Sequence, residues 1–222
     1  MSFLSSSTSR SARPDYIEAC DPTLRKEAPA GPEWIHEIKY DGYRLQLRIR
    51  RRRRYASFAQ SPVVRAAKTI RVQQAIIDGE VTVLGKTGLP DFQALRREIG
   101  KMSSDVIYNA FDLLWLNGED LRRLPLVDRK ARLERLLKKA DPVISFAEAL
   151  EGNGPEIYRH ACRMGLEGIV SKRRNSAYAA GRTESWVKIK CTKTDNFPIV
   201  AFVEKLGAKP RRIANGNSAV IA

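Results

Sequence analysis

The sequence predicts an α+β domain whose sheets are largely antiparallel and flanked by helices. Three observations predict this class. Segments with alternating or β-branched patterns recur along the chain, helical patterns lie between them, and the two kinds do not alternate as strictly as in a parallel βαβ fold. The chain has 222 residues, of which 43% are hydrophobic and 29% charged, which suits a domain of ordinary size.

The first two strand patterns lie on either side of Asp41 and Gly42. Polar and apolar side chains alternate over 34–40 and again over 43–49. An Asp-Gly pair between two alternating runs is typical of a tight β-hairpin turn. We therefore predict two strands that are joined directly at this turn.

The remaining element patterns follow in order. Strand patterns cover 75–84, 106–115, 168–172, 185–191 and 197–203. Helical patterns cover 91–99, 126–140 and 155–164. The second helix carries an apolar stripe of Val127, Leu133, Leu136 and Leu137, and the third begins with a proline and stops at a glycine.

The ends and the cysteines limit the class of protein. Residues 1–14 are rich in Ser and Arg and contain no acidic residue, so we predict a disordered tail. No window approaches 18 consecutive apolar residues, and we expect no membrane contact. Cys20, Cys162 and Cys191 have unrelated spacings, so we expect neither a disulfide framework nor a zinc site, and a reducing compartment. His36 and His160 are expected near the surface, without a role.

Basic residues are concentrated in two segments. The chain has 40 Lys+Arg against 25 Asp+Glu, a formal net charge of +15. Nine basic and no acidic residues lie in 45–77, and seven basic with two acidic residues lie in 186–222. Such regional charge indicates a groove for a polyanion such as nucleic acid. The alternative is a solvated basic loop at 50–54.

The string EIKYDGYR, residues 37–44, places a lysine among carboxylates and an arginine. The period of two puts Glu37, Lys39 and Asp41 on one face of the predicted strand, with Arg44 just after the turn. A lysine attacks phosphorus only after it loses a proton, which desolvation and neighbouring cations favour, and basic groups must also balance the phosphate charge. The string indicates covalent nucleotidyl transfer.

This string resembles the first signature of the covalent nucleotidyltransferases, which include ATP-dependent DNA ligases, RNA ligases and mRNA-capping guanylyltransferases. Four further signatures follow in that family's order: IIDGEV at 76–81, YNAFDLLWLNGEDL at 108–121, LEGIVSKRR at 166–174 and SWVKIKC at 185–191. The surrounding residues are most similar to the ligase module of bacterial end-joining DNA ligases. The resemblance implies an adenylation domain with an ATP-grasp-like fold at 15–192 and the beginning of an OB-fold, or a tail, at 193–222.

The resemblance also implies a role for each motif residue. Lys39 would attack the α-phosphorus of ATP, forming lysyl-AMP and releasing pyrophosphate. Glu37 would lie at the adenine edge, and Phe111 would stack on the base. Arg44 and Glu80 would contact the ribose. Without the resemblance, Phe111 would be read as a core residue and Glu80 as a turn acid.

Four residues complete the implied site. Glu167 would help to hold Mg²⁺ or Mn²⁺, and Lys172 would line the site. Lys188 and Lys190 would bind the phosphates, and their spacing of two on a strand places them on one face. A solvated strand face is the alternative reading of that pair.

The sequence departs from the end-joining ligases in two places. Those ligases carry a T-R-[NR]-G-x-D-W-T-like string that contacts the nucleotide, whereas here residues 50–74 read RRRRRYASFAQSPVVRAAKTIRVQQ. The 31 residues after Cys191 are also too few for a five-stranded OB barrel. We therefore expect a weakened site, and we do not expect complete nick sealing unless another chain supplies the missing part.

The leading interpretation is the adenylation domain of an ATP-dependent DNA ligase that transfers AMP to a 5′-phosphate at a break in double-stranded DNA. We expect a role in DNA repair and recombination, with nicked or broken DNA and end-joining proteins as partners. We also expect a monomer in the bacterial cytoplasm, associated with the nucleoid. The alternatives are an RNA ligase or capping-type guanylyltransferase, and a catalytically decayed DNA-binding protein.

Overall fold

The computed structural model describes residues 14, 16–50, 61–85, 87–98 and 105–191. These residues belong to the first of two units into which the chain divides, Met1–Cys191 and Thr192–Ala222. The predicted strand at 197–203, the OB-fold beginning and residues 1–13 of the predicted tail lie outside the described residues.

The described residues form nine strands and four helices. The strands are β1 (Cys20–Leu24), β2 (Trp34–Ile38), β3 (Tyr43–Arg50), β4 (Gln74–Val83), β5 (Val106–Leu116), β6 (Glu119–Asp120), β7 (Ile144–Phe146), β8 (Gly168–Arg173) and β9 (Gly181–Lys190). The helices are α1 (Pro62–Ala67), α2 (Phe92–Glu98), α3 (Leu126–Leu137) and α4 (Gly154–Arg163).

The strands form two sheets. One has the order β1-β9-β8-β2, and the other has the order β3-β4-β5-β6 with β7 paired to β5. Five of the strand pairs are antiparallel, and β1–β9 and β5–β7 are parallel. The predicted α+β class with largely antiparallel sheets is confirmed.

The core lies on both faces of the central strands β4 and β5. Ile77 and Leu113 face one apolar cluster, against which α3 packs, and their neighbours Ile76 and Leu114 face a second cluster. Alternate side chains of a strand point to opposite faces, so a strand buried on both sides is apolar throughout. A third cluster packs α4 against the four-stranded sheet.

The two strands beside Asp41 and Gly42 do not pair with each other, so the predicted hairpin is wrong. β2 pairs with β8 in one sheet, and β3 pairs with β4 in the other. The chain therefore crosses between the sheets at 39–42. A Cβ on Gly42 would lie 2.1 Å from the carbonyl oxygen of Val81, so glycine is needed because the crossing runs against β4.

The helical patterns are confirmed at α2, α3 and α4. The elements α1, β1, β6 and β7 were not predicted, because they are short and carry no clear pattern.

Asn153 caps α4 by accepting a hydrogen bond from the backbone N–H of Glu156, and Gly165 follows the end of the helix with φ 78°. The arginine run begins at the end of β3, and residues 51–60 lie outside the described residues.

His36 is fully buried, so the expectation of a surface position is wrong for it, although His160 is exposed. Nδ1 of His36 lies 2.8 Å from the hydroxyl oxygen of Ser171 on β8. Burial lowers the pKa of His36, because the charged ring would lose its hydration. The residue is a core histidine of β2.

No helix among the described residues meets the length and hydropathy needed to cross a bilayer.

Cys162 at the end of α4 and Cys191 just after β9 form a disulfide, so the expectation of no disulfide is wrong. Sequence spacing could not reveal this pair because the sheet brings the two cysteines together from 29 residues apart. Hydrogen bonds support the same junction: the Tyr158 hydroxyl donates to the carbonyl of Lys190, and the Cys191 N–H donates to the carbonyl of Glu167. The thiol of Cys20 is free and buried, and burial raises its pKa to about 12.

Reduction of the disulfide is expected to lower the free energy of unfolding by about 3 to 4 kcal/mol, because the cross-link limits the entropy of the unfolded chain. Guanidinium unfolding with and without a reductant measures the difference. Cys162→Ala and Cys191→Ala should each abolish the reductant effect, whereas Cys20→Ala should retain it. Equal unfolding midpoints for the oxidised and reduced wild type would contradict the prediction.

Candidate active site

A cavity of about 200 Å³ draws its lining from both sheets and from the crossing at 39–42. Seven of the nine residues that the sequence singled out line it: Glu37, Lys39, Arg44, Glu80, Phe111, Lys172 and Lys188. The other two, Glu167 and Lys190, are joined to Lys39 by a chain of ion pairs. The structure thus brings all nine together, from positions up to about 150 residues apart in the chain.

Lys39 lies on the crossing and is held at both ends. Its backbone N–H donates to the carbonyl of Gly168, and its Nζ donates to Oε2 of Glu167. Lys190 Nζ lies 3.2 Å from the other carboxylate oxygen of Glu167. Gly168 permits this arrangement, because a Cβ there would lie 2.0 Å from the carbonyl oxygen of Ile189. The Lys39 amine is therefore paired and fixed near the phosphate-binding lysine candidates.

Glu37 lies between two buried lysines. Its Oε1 accepts from Lys130 Nζ at 2.7 Å, and its Oε2 accepts from Lys172 Nζ at 2.6 Å. The three side chains are only 2% to 6% exposed. Burial lowers the pKa of Lys172, and the charge of Glu37 opposes this shift.

Lys130 was not singled out from the sequence. It lies on α3 in line with the buried residues Leu126, Leu133 and Leu137. A lysine at an apolar position of a helical stripe is the signal that could have identified it, because a buried ammonium needs a counterion.

Arg44 is fixed by a buried carboxylate. Its Nε and Nη2 donate to Asp78 at 3.1 and 2.7 Å, and the Tyr178 hydroxyl donates to the same carboxylate at 2.9 Å. The guanidinium also lies 5.4 Å from the centroid of the Phe111 ring. Asp78 within the apolar run IIDGEV was not singled out, although an acid at a buried strand position was a usable signal.

Phe111 satisfies both readings given to it from the sequence. It belongs to the second apolar cluster and is 9% exposed, yet it also lines the cavity. Its ring packs edge-on against Trp186, and Lys172 Nζ lies 4.5 Å from its centroid. The ring forms an apolar wall beside the Glu37 carboxylate.

The lysine pair of β9 has its predicted geometry. Val187 and Ile189 are buried, while Lys188 and Lys190 reach carboxylates on the other face. Lys188 Nζ lies 3.2 Å from Asp21, which lies on β1. No sequence signal marked Asp21, because the strand that carries it has no clear pattern.

Glu167 is the only predicted metal ligand, and its two carboxylate oxygens are paired with the ammonium groups of Lys39 and Lys190. The described residues contain no group of three or more His, Cys, Asp or Glu suited to a metal. Mg²⁺ keeps several waters and takes one or two carboxylates together with substrate phosphate oxygens. Glu167 would therefore supply one carboxylate to such an ion, and the substrate phosphates would have to supply further oxygens.

The carboxyl of Glu80 should make the stability of the protein depend on pH. Burial raises its pKa from 4.5 to about 7, although Lys39 and Arg44 oppose the shift. A raised pKa means that the folded state favours the protonated carboxyl. The contribution of Glu80 to the free energy of unfolding is therefore fully present below the unfolded pKa of 4.5 and is lost as the pH rises through about 7. The free energy of unfolding of the wild type minus that of Glu80→Gln should therefore fall between pH 4.5 and about 7.

Urea unfolding of both proteins at a series of pH values measures this difference. Glu134→Gln, at an exposed position of α3, is the matched control and should differ from the wild type by a constant amount. A constant difference for Glu80→Gln as well would show that its carboxyl titrates normally.

Comparison with known proteins gives a consistent family. Residues 16–190 match the family model described as the ATP dependent DNA ligase domain. The multifunctional non-homologous end joining protein LigD of Pseudomonas aeruginosa is 36% identical in an alignment of 207 residues that covers 88% of this chain and 24% of that protein. A DNA ligase of Thermococcus fumicolans is 34% identical over 188 residues, covering 74% of this chain and 34% of that ligase.

A solved structure agrees with the sequence relatives. The mycobacterial DNA ligase D complexed with ATP and MES has a TM-score of 0.66 and 30% identity, over 78% of this chain and 60% of that one. The chain spans about a quarter of the length of the LigD protein from P. aeruginosa. The matched range contains all nine residues singled out above. On this evidence the chain belongs to the ATP-dependent DNA ligase domain family.

Proposed function

We propose that this chain carries out the adenylation chemistry of an ATP-dependent DNA ligase, with Lys39 as the nucleophile. The observation that carries the proposal is the convergence of five separate motifs on one cavity around Lys39. An enzyme of this kind must hold a base, a sugar and a triphosphate in one line toward the amine. The cavity offers groups suited to each part.

The base would occupy the end of the cavity formed by Phe111 and Glu37. An aromatic ring offers a stacking surface, and a carboxylate accepts a hydrogen bond from an exocyclic amino group. Arg44 and Glu80 lie on neighbouring strands at paired positions, where both could contact ribose hydroxyls. This division of the cavity supports a purine nucleotide as the substrate.

The phosphates would lie between Lys39 and the lysines of β9. In the reaction a bond forms between Lys39 Nζ and the α-phosphorus, the bond from that phosphorus to the pyrophosphate oxygen breaks, and the amine loses a proton. Lys188 and Lys190 would stabilise the charge that develops on the phosphate oxygens. The Lys39 amine donates a hydrogen bond to Glu167, so this contact must be given up before the nitrogen attacks phosphorus.

A divalent metal at Glu167 would polarise the phosphate oxygens and neutralise the pyrophosphate when it is bound. The chain's own contribution is to orient the amine. The crossing fixes the backbone of Lys39, and Gly168 lets β8 and β9 bring their charged side chains to it. Such positioning is worth a large part of the barrier in reactions of this type.

The acceptor of the adenylyl group would be a 5′-phosphate at a break in DNA, in repair and recombination. The names of the LigD relatives, which are end-joining proteins, support this substrate class and end-joining proteins as partners. The exposed basic residues Arg50, Lys68 and Arg71 suit sequence-independent contact with DNA phosphates. A monomer in the cytoplasm, associated with the nucleoid, remains part of this proposal.

Incubation with α-labelled ATP and Mg²⁺ or Mn²⁺ tests the proposal directly. The wild type should acquire an acid-labile label that survives denaturation, because a phosphoramidate is covalent but hydrolyses in acid. Lys39→Ala should acquire none. Lys138→Ala, at an exposed lysine directly after α3, should label normally.

Two outcomes would overturn parts of the proposal. Label that persists in Lys39→Ala would move the nucleophile to another residue. An unlabelled wild type that still binds DNA in a salt-sensitive manner would favour the decayed DNA-binding protein instead.

A further inference from the structure

Lys130 is bound on every side by acceptors of the protein. Its Nζ donates to Glu37 at 2.7 Å and to the carbonyl of Ala147 at 2.8 Å, and it lies 3.5 Å from the carbonyl of Phe111. It also lies 4.7 Å from the centroid of the Phe146 ring. An ammonium has three protons to donate, so these acceptors fully occupy it.

Lys130 is not among the residues that line the cavity; it lies behind Glu37, on α3. Its position is fixed by a helix and by two backbone carbonyls, none of which a ligand in the cavity would displace. Lys172, the other partner of Glu37, differs in this respect because it lines the cavity and lies over the rings of Phe111 and Trp186. Lys130 is therefore the anchor that stays in place when the cavity is filled.

We propose that Lys130 is a positioning residue that determines base specificity, by holding the Glu37 carboxylate in one orientation toward the nucleotide base. This inference rests on the proposed function, since it assumes that a nucleotide occupies the cavity. It assigns the preference for a 6-amino purine over a 6-oxo purine to a side chain that does not touch the base.

The carboxylate of Glu37 distinguishes bases by the group that it faces. A carboxylate only accepts hydrogen bonds, so it binds the 6-amino group of a purine and is repelled by the exocyclic oxygen of a 6-oxo purine. With Lys130 in place, one oxygen of Glu37 is held toward α3 while Lys172 contacts the other. Without Lys130, the carboxylate keeps Lys172 as its partner but can rotate, so its lone pairs no longer point in one direction toward the base. The distinction between the two purines then narrows.

The experiment compares ATP with ITP, its 6-oxo analogue, as donors for the label on Lys39. The measured quantity is the rate of adduct formation against nucleotide concentration, which separates the apparent KM from the maximal rate. We expect the wild type to prefer ATP and Lys130→Met to narrow the ratio of ATP to ITP efficiencies by about tenfold or more. The loss should lie mainly in KM for ATP, because the base contact is made away from the reacting atoms.

Leu137→Ala is the matched control, since it weakens the packing of the same helix without removing a charge. It should lower the unfolding midpoint and leave the nucleotide ratio unchanged. Lys130→Arg, which keeps the charge, should keep the ratio closer to that of the wild type. If Lys130→Met does not fold, Lys130→Gln replaces it, because its amide can still donate to the backbone carbonyls.

The outcomes separate this inference from the proposed function. A wild type that forms no adduct with either nucleotide refutes the proposed function itself. A wild type that labels with ATP, together with an unchanged ratio in the uncharged Lys130 variant, refutes only the role of Lys130. An equal change of the ratio in Leu137→Ala would also refute it, since the effect would then come from helix packing.

Discussion

The mutual neutralisation of buried charges is the constraint on which the cavity depends. A charged group taken out of water is tolerated only when a counterion and hydrogen bonds replace its hydration. Here four carboxylates at the cavity are each paired with cations: Glu37 with Lys130 and Lys172, Asp78 with Arg44, Glu167 with Lys39 and Lys190, and Asp21 with Lys188. Asp78 and Arg44 belong to one sheet, and Glu37 with Lys172 and Asp21 with Lys188 belong to the other, so each sheet pairs charges of its own. Lys130 on α3 adds a second cation to Glu37 from outside the sheets.

The crossing at 39–42 places the proposed nucleophile between the two sheets. Because the chain passes from one sheet to the other there, a few residues of one motif contribute to both walls of the cavity. Glu37 lies at the end of β2, Lys39 lies on the crossing, and Arg44 lies at the start of β3. A hairpin would have kept these residues on one sheet. The crossing instead places the amine between the walls.

The sequence predicted the fold class, the long strands and three helices because these depend on local periodicity, as in the apolar runs of β4 and β5. It also predicted nine residues that meet at one cavity, through the resemblance of their motifs. It could not predict the pairing of β2 with β8, because the Asp-Gly signal is the same for a hairpin and for a crossing. Asp21 and the disulfide were missed because each depends on contacts between residues distant in sequence, whereas Lys130 carried a local signal, its place in the apolar stripe of α3.

The carboxylates that hold the lysines have a consequence for which anions the cleft can accept. Asp21 and Glu167 occupy Lys188, Lys190 and Lys39 much as phosphate oxygens would. Because both carboxylates are part of the protein, they compete with an incoming anion at a high effective concentration. A single weakly charged anion therefore gains little by replacing one of these carboxylates. A chain of linked phosphates replaces several at once. If phosphates bind as proposed, this internal competition would favour polyphosphates over single anions.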